Sequence, residues 1–291
     1  MTLEPGNGHE QLARAIEKFS AANGTPPTDA RSAVDELLAL LEAGAVRAAE
    51  RNAAGEWRAV PWVKLGILLG FRVGAVVDMS LTQSGDSGIA FSFFDKDTYP
   101  PRALQLSDGI RVVPGGSSIR RGAFLARGVV CMPPSYVNVG AYVGSGTMID
   151  SHALVGSCAQ VGERVHISAA AQLGGVLEPI NASPVIIEDD VVIGGNCGVY
   201  EGTVVRSRAV LGAGVVLTRS TPVFDLVNQT VYRASPGQSL IIPAGAVVIP
   251  GTRPASSEWA VKMNLSIVTP VIVKYRDERT DAATALEDAL R

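Results

Sequence analysis

The stretch that decides the fold is SYVNVGAYVGSGTMIDSHALVGSCAQVG, residues 135–162, in which a branched aliphatic residue returns at every sixth position. The recurring residues are Val137, Val143, Ile149, Val155 and Val161. An α-helix repeats its apolar residues about every 3.6 positions and a strand about every 2, so neither element alone explains a period of six. The period fits short strands that turn a corner and stack on their equivalents one coil later.

The same register extends along the chain in both directions. It runs through Ile119, Leu125, Cys131, Val137, Val143, Ile149, Val155, Val161, Ile167 and Leu173. After the interruption GVLEPINASP it resumes, with its phase shifted by two, at Ile187, Ile193, Val199, Val205, Leu211 and Leu217. We therefore predict that the interruption is a loop inserted into a continuing coil.

This pattern is the hexapeptide repeat, and it predicts a mainly β protein whose strands form a parallel β-helix with three faces. Such a solenoid buries a continuous core only because its coils stack. Phe124, Tyr136, Tyr142 and Tyr200 all fall off the inward register, as a narrow interior requires. A β-sandwich is the alternative, but its strands would alternate with period two between turns spaced about 8–12 residues apart.

Composition excludes several functions. The net charge of −3 over 291 residues shows no basic excess, which argues against nucleic acid as a partner. No apolar run approaches the roughly 18 residues that span a bilayer, so no membrane partner is predicted. The three cysteines lack metal-site spacing and the N-terminus lacks an apolar signal region, which together predict a reduced, cytoplasmic location.

The segments outside the repeat have other periodicities. Helical patterns occupy HEQLARAIEKFSAANG, VPWVKLGILLGFRVG and DARSAVDELLALLEAGAVRAAERN, the last opened by Asp29 as a cap and closed near Gly44. AVVIPGTRP completes a last coil, SIVTPVIVKYRDE reads as a strand and TDAATALEDALR as a helix. We predict an N-terminal helical domain and connector at 1–108, the β-helix at 109–252 and a short C-terminal strand and helix extension at 253–291.

Specific strings resemble one family. RVVPGGSSIRRGAFLARG, MPPSYVNVGAYVGSGTMIDSHALVGSCAQVG, QLGGVLEP and IPAGAVVIPG are similar to the tetrahydrodipicolinate N-succinyltransferase family of diaminopimelate and lysine biosynthesis, and the match covers nearly the whole chain. The resemblance implies a homotrimer of left-handed β-helices that uses succinyl-coenzyme A and no metal. It also implies that the acceptor is the open-chain amine form of a cyclic dicarboxylate.

Two residues carry the expected chemistry. An amine that attacks a thioester must be neutral, so a base should accept its proton. Asp150 matches the family's substrate-binding aspartate and follows the inward Ile149, so its side chain should point outward as the predicted base. Arg111 in RVVP matches the family's substrate-binding arginine, whose guanidinium can bind a carboxylate through two hydrogen bonds. A corner hydrogen bond for Asp150 and a surface salt bridge for Arg111 are the structural alternatives.

The sequence departs from the family at a second carboxylate. Similar members carry Arg-Ser-Glu where this chain has Asn196, Cys197 and Gly198. Glu201 in the following hexad is the predicted catalytic substitute, with a solvated coil residue as the alternative. Otherwise Asp150 acts without a partner.

Coenzyme A should need backbone amides for its pantetheine arm and positive charge for its phosphates. The glycines predicted to allow close approach to the backbone are Gly175, Gly194 and Gly195, although glycine at a corner also serves the turn itself. The predicted phosphate contacts are Arg206, Arg208 and Lys262, each of which is otherwise a solvated charge.

Histidine spacing argues against a metal enzyme. A γ-type carbonic anhydrase shares the solenoid but needs three histidines that converge on zinc. Here His9 lies in the helical region, and His152 and His166 are fourteen residues apart, which is not a whole number of hexads. His152 remains an alternative base to Asp150.

Two other functions stay open from the sequence. The same fold could transfer an acetyl group to the same or another amine. A non-catalytic scaffold is the second alternative, supported by the replaced segment GGNCG. The retained Arg111 and Asp150 argue against the scaffold. The long loop also argues against it, because an insertion into the coil is expected to line a site.

Overall fold

The structure is a computed structural model that describes residues 9–22, 24, 26–82, 90–235 and 237–277. The predicted C-terminal helix TDAATALEDALR lies outside these residues.

Three helices and short hairpins precede the solenoid. The helices are α1 Glu10–Ala21, α2 Thr28–Glu42 and α3 Pro61–Val73. The hairpins pair β1 Ala49–Arg51 with β2 Trp57–Ala59, β3 Val76–Asp78 with β6 Phe94–Lys96, and β4 Leu81–Thr82 with β5 Ala90–Phe91. A 3₁₀ turn covers Leu106–Asp108.

All three predicted N-terminal helices are present, but one cap is wrong. The N-cap of α2 is Pro27 and no side chain caps the helix, so Asp29 lies inside the first turn. Its negative charge there still favours the positive end of the helix dipole. The helix ends at Glu42, close to Gly44 as predicted.

The solenoid is built from two-residue strands that recur with the predicted period. They are β7 Arg111–Val112, β8 Ser118–Ile119, β9 Phe124–Leu125, β10 Val130–Cys131, β11 Tyr136–Val137, β12 Tyr142–Val143, β13 Met148–Ile149, β14 Leu154–Val155, β15 Gln160–Val161, β16 His166–Ile167, β17 Gln172–Leu173, β18 Ile186–Ile187, β19 Val192–Ile193, β20 Gly198–Val199, β21 Val204–Val205, β22 Val210–Leu211 and β23 Val216–Leu217. A C-terminal part follows with β24 Val223–Asp225, β25 Thr230–Tyr232, β26 Ile241–Ile242, β27 Ala246–Pro254, α4 Glu258–Lys262 and β28 Ser266–Tyr275.

Every third strand pairs in parallel, which gives the prism its three faces. Face 1 stacks β7, β10, β13, β16, β19, β22 and β27; face 2 stacks β8, β11, β14, β17, β20 and β23; face 3 stacks β9, β12, β15, β18, β21 and β26. We call the turns between faces 1 and 2 the first edge, and those between faces 2 and 3 the second edge. The predicted fold class is confirmed.

The inward register is also confirmed. The second residue of each solenoid strand from β8 to β23 is buried, and these residues form one continuous cluster with small residues such as Ala141, Ala153 and Ala171. The interior contains no aromatic side chain among its fully buried members. Stacked aliphatic residues therefore hold the coils together.

The N-terminal domain covers the second edge and face 3. Val139 and Cys158, both in turns of the second edge, belong to the buried core of the helices, together with Ile67 of α3. Higher on face 3, Trp57 of β2 packs against the outward residues of β18 and β21. The chain itself thus covers one edge and one face, and leaves the first edge open.

The interruption of the repeat is a loop at the second edge. The inward residues Leu173 and Ile187 are 14 positions apart instead of six, so the turn between β17 and β18 contains eight additional residues. β18 still pairs with β15 in the regular register, as the sequence predicts.

The last predicted coil is longer than expected. β27 pairs with β22 on face 1 and then continues as one arm of an antiparallel hairpin with β28, whose tip is α4. The strand runs through Pro254, across the boundary placed at 252, and the three-part division stays a prediction. No helix in the described ranges is long and apolar enough to cross a membrane.

Candidate active site

Asp150 lies at the start of the first edge, and Arg111 lies on β7 of the adjoining face 1. Val112, Cys131 and Ile149 are register partners on three successive strands of face 1, so Arg111 and Asp150 flank one column two strands apart. Because adjacent strands are about 4.8 Å apart and successive residues about 3.3 Å apart, their backbones are separated by roughly 12 Å. A small dicarboxylate fits between a long cationic side chain and a carboxylate at that spacing.

The Arg111 and Asp150 side chains form no ion pair with other residues in the described part of the chain. Arg111 is exposed, and its guanidinium makes no hydrogen bond or ion pair with another described residue. Asp150 is half-buried and accepts one hydrogen bond, from the backbone N–H of Ser151 to Oδ1 at 2.7 Å. That bond orients the carboxylate and leaves Oδ2 available.

The two solenoid histidines occupy different positions around Asp150. His152 is exposed at the first edge, with φ 62°, and its carbonyl accepts a hydrogen bond from Gln172. His166 is half-buried on face 1, paired in register with Met148. Across the described residues, no cluster of three or more His, Cys, Asp or Glu side chains is close enough to hold a metal ion.

Glu201 lies at the other edge. It follows β20 with φ 53°, and its Oε2 accepts a hydrogen bond from the backbone N–H of Arg219 at 2.7 Å. Asp150 belongs to the coil of β13, so within one chain the two carboxylates are one face and two coils apart. A catalytic role for Glu201 stays a prediction.

The position of the missing carboxylate is filled by an aromatic ring. A Cβ atom at Gly198 would lie 2.5 Å from Cε2 and 3.0 Å from the hydroxyl of Tyr200. A glutamate at 198 would therefore require the Tyr200 ring to move.

The predicted coenzyme glycines have close protein neighbours. A Cβ at Gly194 would lie 2.6 Å from the backbone nitrogen of Ala213, and one at Gly175 would lie 2.7 Å from that of Ser157. Coil stacking alone therefore accounts for these two glycines. Gly195 has more room, with its nearest neighbour 3.3 Å away. Contact of any of the three with coenzyme A stays a prediction.

The predicted phosphate-binding cations lie in two separate places, the turn after β21 and the tip of the C-terminal hairpin. Arg206 follows β21 and forms a salt bridge of 2.9 Å with the buried Glu188. Arg208 is exposed two residues later, with φ 61°. Lys262 is exposed on α4, at the tip of the C-terminal hairpin. One chain does not bring the three together.

A buried lysine anchors the inserted loop. Lys64 of α3 is fully buried, and its Nζ donates hydrogen bonds to the carbonyls of Ala182 at 2.6 Å and Pro179 at 3.4 Å. Burial lowers the pKa of Lys64 from its ordinary 10.5. The far end of the loop packs on the second edge, since a Cβ at Gly202 would lie 2.5 Å from the Ser183 carbonyl.

The three thiols are unsuited to nucleophilic chemistry. Cys131, Cys158 and Cys197 are all free and buried. Burial raises the pKa of Cys131 and of Cys158 to about 12, and raises that of Cys197. Because the thiolate is the reactive form, these groups remain inert at neutral pH.

Sequence reasoning missed the importance of Lys64 and Tyr200. Lys64 lies in the first turn of the apolar α3, where a cation beside aliphatic residues was a visible signal of a buried polar contact. Tyr200 was noted only as an aromatic off the inward register, and nothing in the sequence tells that its ring lies over Gly198.

Two family models match the chain. The model described as tetrahydrodipicolinate N-succinyltransferase N-terminal matches residues 11–73, and the model described as hexapeptide repeat of succinyl-transferase matches residues 184–219.

Curated relatives match over nearly the full length. Proteins named 2,3,4,5-tetrahydropyridine-2,6-dicarboxylate N-succinyltransferase are 43% identical in Nitrobacter winogradskyi, with 92% of each chain covered, and 42% identical in Polynucleobacter asymbioticus, with 91% of each covered. The protein of the same name in Paracidovorax citrulli is 40% identical and covers 97% of this chain and 99% of its own.

Proposed function

This chain belongs to the tetrahydrodipicolinate N-succinyltransferase family, and we propose that it transfers the succinyl group of succinyl-coenzyme A to the amine of ring-opened tetrahydrodipicolinate. The product lies on the route to diaminopimelate and lysine. The observation that carries the proposal is the pair of oppositely charged side chains beside the first edge, Arg111 and Asp150. Both keep charged atoms that bind no other described residue.

The proposed roles follow from the charges. The guanidinium of Arg111 binds a carboxylate of the acceptor and so fixes its orientation. Asp150 accepts a proton from the acceptor's ammonium, which leaves the nitrogen lone pair free to attack the thioester carbonyl. The C–N bond forms, the C–S bond breaks, and the coenzyme leaves as a thiolate that takes up the second proton, which the nitrogen loses as it becomes an amide.

We propose that the active unit is a homotrimer. The outward residues of face 1 from β10 to β27 form a row that is apolar except for His166 and that the chain leaves only half-buried: Val130, Met148, Val192, Val210 and Val247. A threefold contact would bury such a row and place the first edge of one subunit beside its neighbour. Light scattering should give about three times the chain mass of 30.3 kDa, and a fully active monomer would contradict the shared site.

The donor is tested by thiol release. The enzyme is given succinyl- or acetyl-coenzyme A together with an amino-pimelate analogue as acceptor, and free thiol is measured. We expect faster release from the succinyl donor. Equal rates would contradict the succinyl assignment, and the absence of release from both would support a scaffold. We also propose a cytoplasmic location, which the three free thiols support.

A further inference from the structure

A cavity lies between the β1–β2 hairpin and the outer surface of face 3. Its volume is about 390 Å³, which suits one small molecule. It reaches the turns between faces 3 and 1, which we call the third edge, and so lies away from the first edge. Its charged lining consists of two arginines and four carboxylates: Arg47, Arg51, Glu50, Glu163, Glu188 and Asp189.

Half of these charged side chains already form ion pairs. Arg51 pairs with the buried Glu188 at 3.0 Å, and Glu163 pairs with Arg164 at 2.8 Å. The other three form no ion pair with a described residue: Arg47, Glu50 and Asp189. Within the described part of the chain, the cavity therefore keeps one guanidinium and two carboxylates without a partner of opposite charge.

The guanidinium of Arg47 is held in one orientation. Its Nε donates a hydrogen bond to Oε1 of Gln160 at 2.9 Å, and its Cζ lies 3.6 Å from the centre of the Tyr142 ring. Gln160 is fixed in turn, because it is buried and its Nε2 donates to the carbonyl of Cys158 at 2.9 Å. Nη1 and Nη2 of Arg47 donate to no described residue, so they can bind a ligand carboxylate through two hydrogen bonds.

The two carboxylates without an ion pair come from different parts of the molecule. Glu50 is exposed on β1 and makes no hydrogen bond through its side chain with a described residue. Asp189 lies in the third-edge turn after β18, where its Oδ1 accepts the backbone N–H of Glu163 at 2.8 Å. Burial lowers the pKa of Arg47, and the charges of Glu50 and Asp189 partly oppose that shift, so both lie near the guanidinium without pairing with it.

We propose that this cavity binds a basic α-amino acid, whose carboxylate contacts Arg47 and whose two ammonium groups contact Glu50 and Asp189. One cation and two anions on the protein complement one carboxylate and two ammonium groups on the ligand. A simple anion would meet the two carboxylates, and a simple amine would meet the guanidinium. Because Glu50 belongs to the hairpin and Asp189 to the solenoid, the ligand connects the N-terminal domain to the third edge.

The test is the binding of L-lysine, measured by calorimetry, with one molecule expected per chain. Glu50→Gln and Asp189→Asn should each weaken binding by about 3- to 10-fold, because each removes one charged contact at an exposed site. Arg47→Met should weaken it by more than about tenfold, since two charged hydrogen bonds are lost. Glu36→Gln changes an exposed glutamate of α2 that also forms no ion pair with a described residue, and should leave the affinity unchanged. No binding to the unaltered protein, or unchanged affinity in either carboxylate variant, would overturn the proposal.

Related amino acids test the class of ligand. L-Norleucine has nearly the shape of lysine without its side-chain ammonium and should bind more weakly. L-Glutamate carries a carboxylate in place of that ammonium and should not bind detectably. Equal affinities for the three amino acids would overturn the proposal, as would the loss of lysine binding in Asp150→Asn, which would place lysine in the acceptor site.

Hydrogen exchange tests the connection between the two parts of the molecule. Lysine should slow exchange at 49–59 in the unaltered protein, because the bound ligand opposes opening of the β1–β2 hairpin, and should slow it less in Glu50→Gln. Equal slowing in both proteins would overturn the assignment of Glu50. None of these measurements involves acyl transfer, so failure of the proposed function would leave their outcome unaffected.

Discussion

His152 and Cys158 occupy the same position in successive hexapeptide turns, yet their surroundings are opposite. Both have a left-handed backbone, with φ 62° and 65°. His152, at the first edge, is exposed, whereas Cys158, at the second, is fully buried among residues of the N-terminal helices. The repeat dictates the backbone at each edge, and segments outside the repeat decide which edge meets solvent.

The difference extends to the functional groups. Arg111 and Asp150, beside the first edge, keep their charged groups available, whereas Glu201 of the second edge and Lys64 of α3 bind backbone groups. Polar groups without internal partners are the ones that can bind a substrate. The comparison therefore favours the first edge as the place of the proposed acyl transfer.

The largest effect is expected inside the prism, on which both edges depend. Ala171→Asp places a carboxylate in a fully buried stack, where an unpaired charge costs several kcal/mol, and should prevent folding. Ala169→Asp introduces the same group at an exposed position of the first edge and should change the free energy of unfolding by about 0.5 kcal/mol or less. Similar denaturation midpoints for the two variants would refute the register.

The next largest effect is expected on kcat, from removing a carboxylate at each of the two edges. Asp150→Asn keeps the shape of the side chain and removes the base, so kcat should fall by roughly 10²–10⁴-fold with the fold intact. Glu201→Gln is the matched change at the second edge, and a small loss there would leave Asp150 acting alone. If Asp150→Asn turns over normally and His152→Ala does not, the base is the imidazole.

A smaller effect is expected at the acceptor's carboxylate. Arg111→Met removes the guanidinium and keeps the length of the side chain, so KM for the acceptor should rise by an amount worth about 2–3 kcal/mol. KM for succinyl-coenzyme A should change little. Steady-state kinetics with each substrate varied in turn measures both values, and an equal rise in the two would place Arg111 outside the acceptor site.

The smallest effect concerns the inserted loop. Lys64→Met removes the donor for the Ala182 and Pro179 carbonyls, and hydrogen exchange at 175–184 should become about tenfold faster because local opening costs less. Lys262→Met makes the same change at an exposed site and should leave this exchange unaltered. Unchanged exchange in Lys64→Met would show that other contacts hold the loop.

The interior of the prism could be predicted from the sequence because each coil repeats one local rule. In a stack of short strands, an aliphatic residue at every sixth position faces the interior. Val137, Val155 and Val199 all point inward as expected. The inserted loop was equally visible as a break in phase. Arg111 and Asp150 were found through the family resemblance, and the register places them near one edge.

The arrangement around the second edge could not be predicted, because it depends on contacts between distant segments. No local pattern tells that Lys64 of a helix reaches a loop more than one hundred residues later, or that Trp57 covers face 3. The Cys158 position shows the same limit, since its neighbours come from another domain. The periodicity predicts how each coil stacks on the next. It does not predict which segments outside the repeat pack against the solenoid.

Lys64 has a consequence for the proton balance of the protein. Since its pKa is lowered from 10.5 in the folded chain, the unfolded chain binds more protons between the lowered value and 10.5. The contribution of Lys64 to the free energy of unfolding therefore rises with pH across that window and is lowest below it. Because Lys64 is buried, added salt screens its contacts poorly, and closure of the loop should be insensitive to ionic strength.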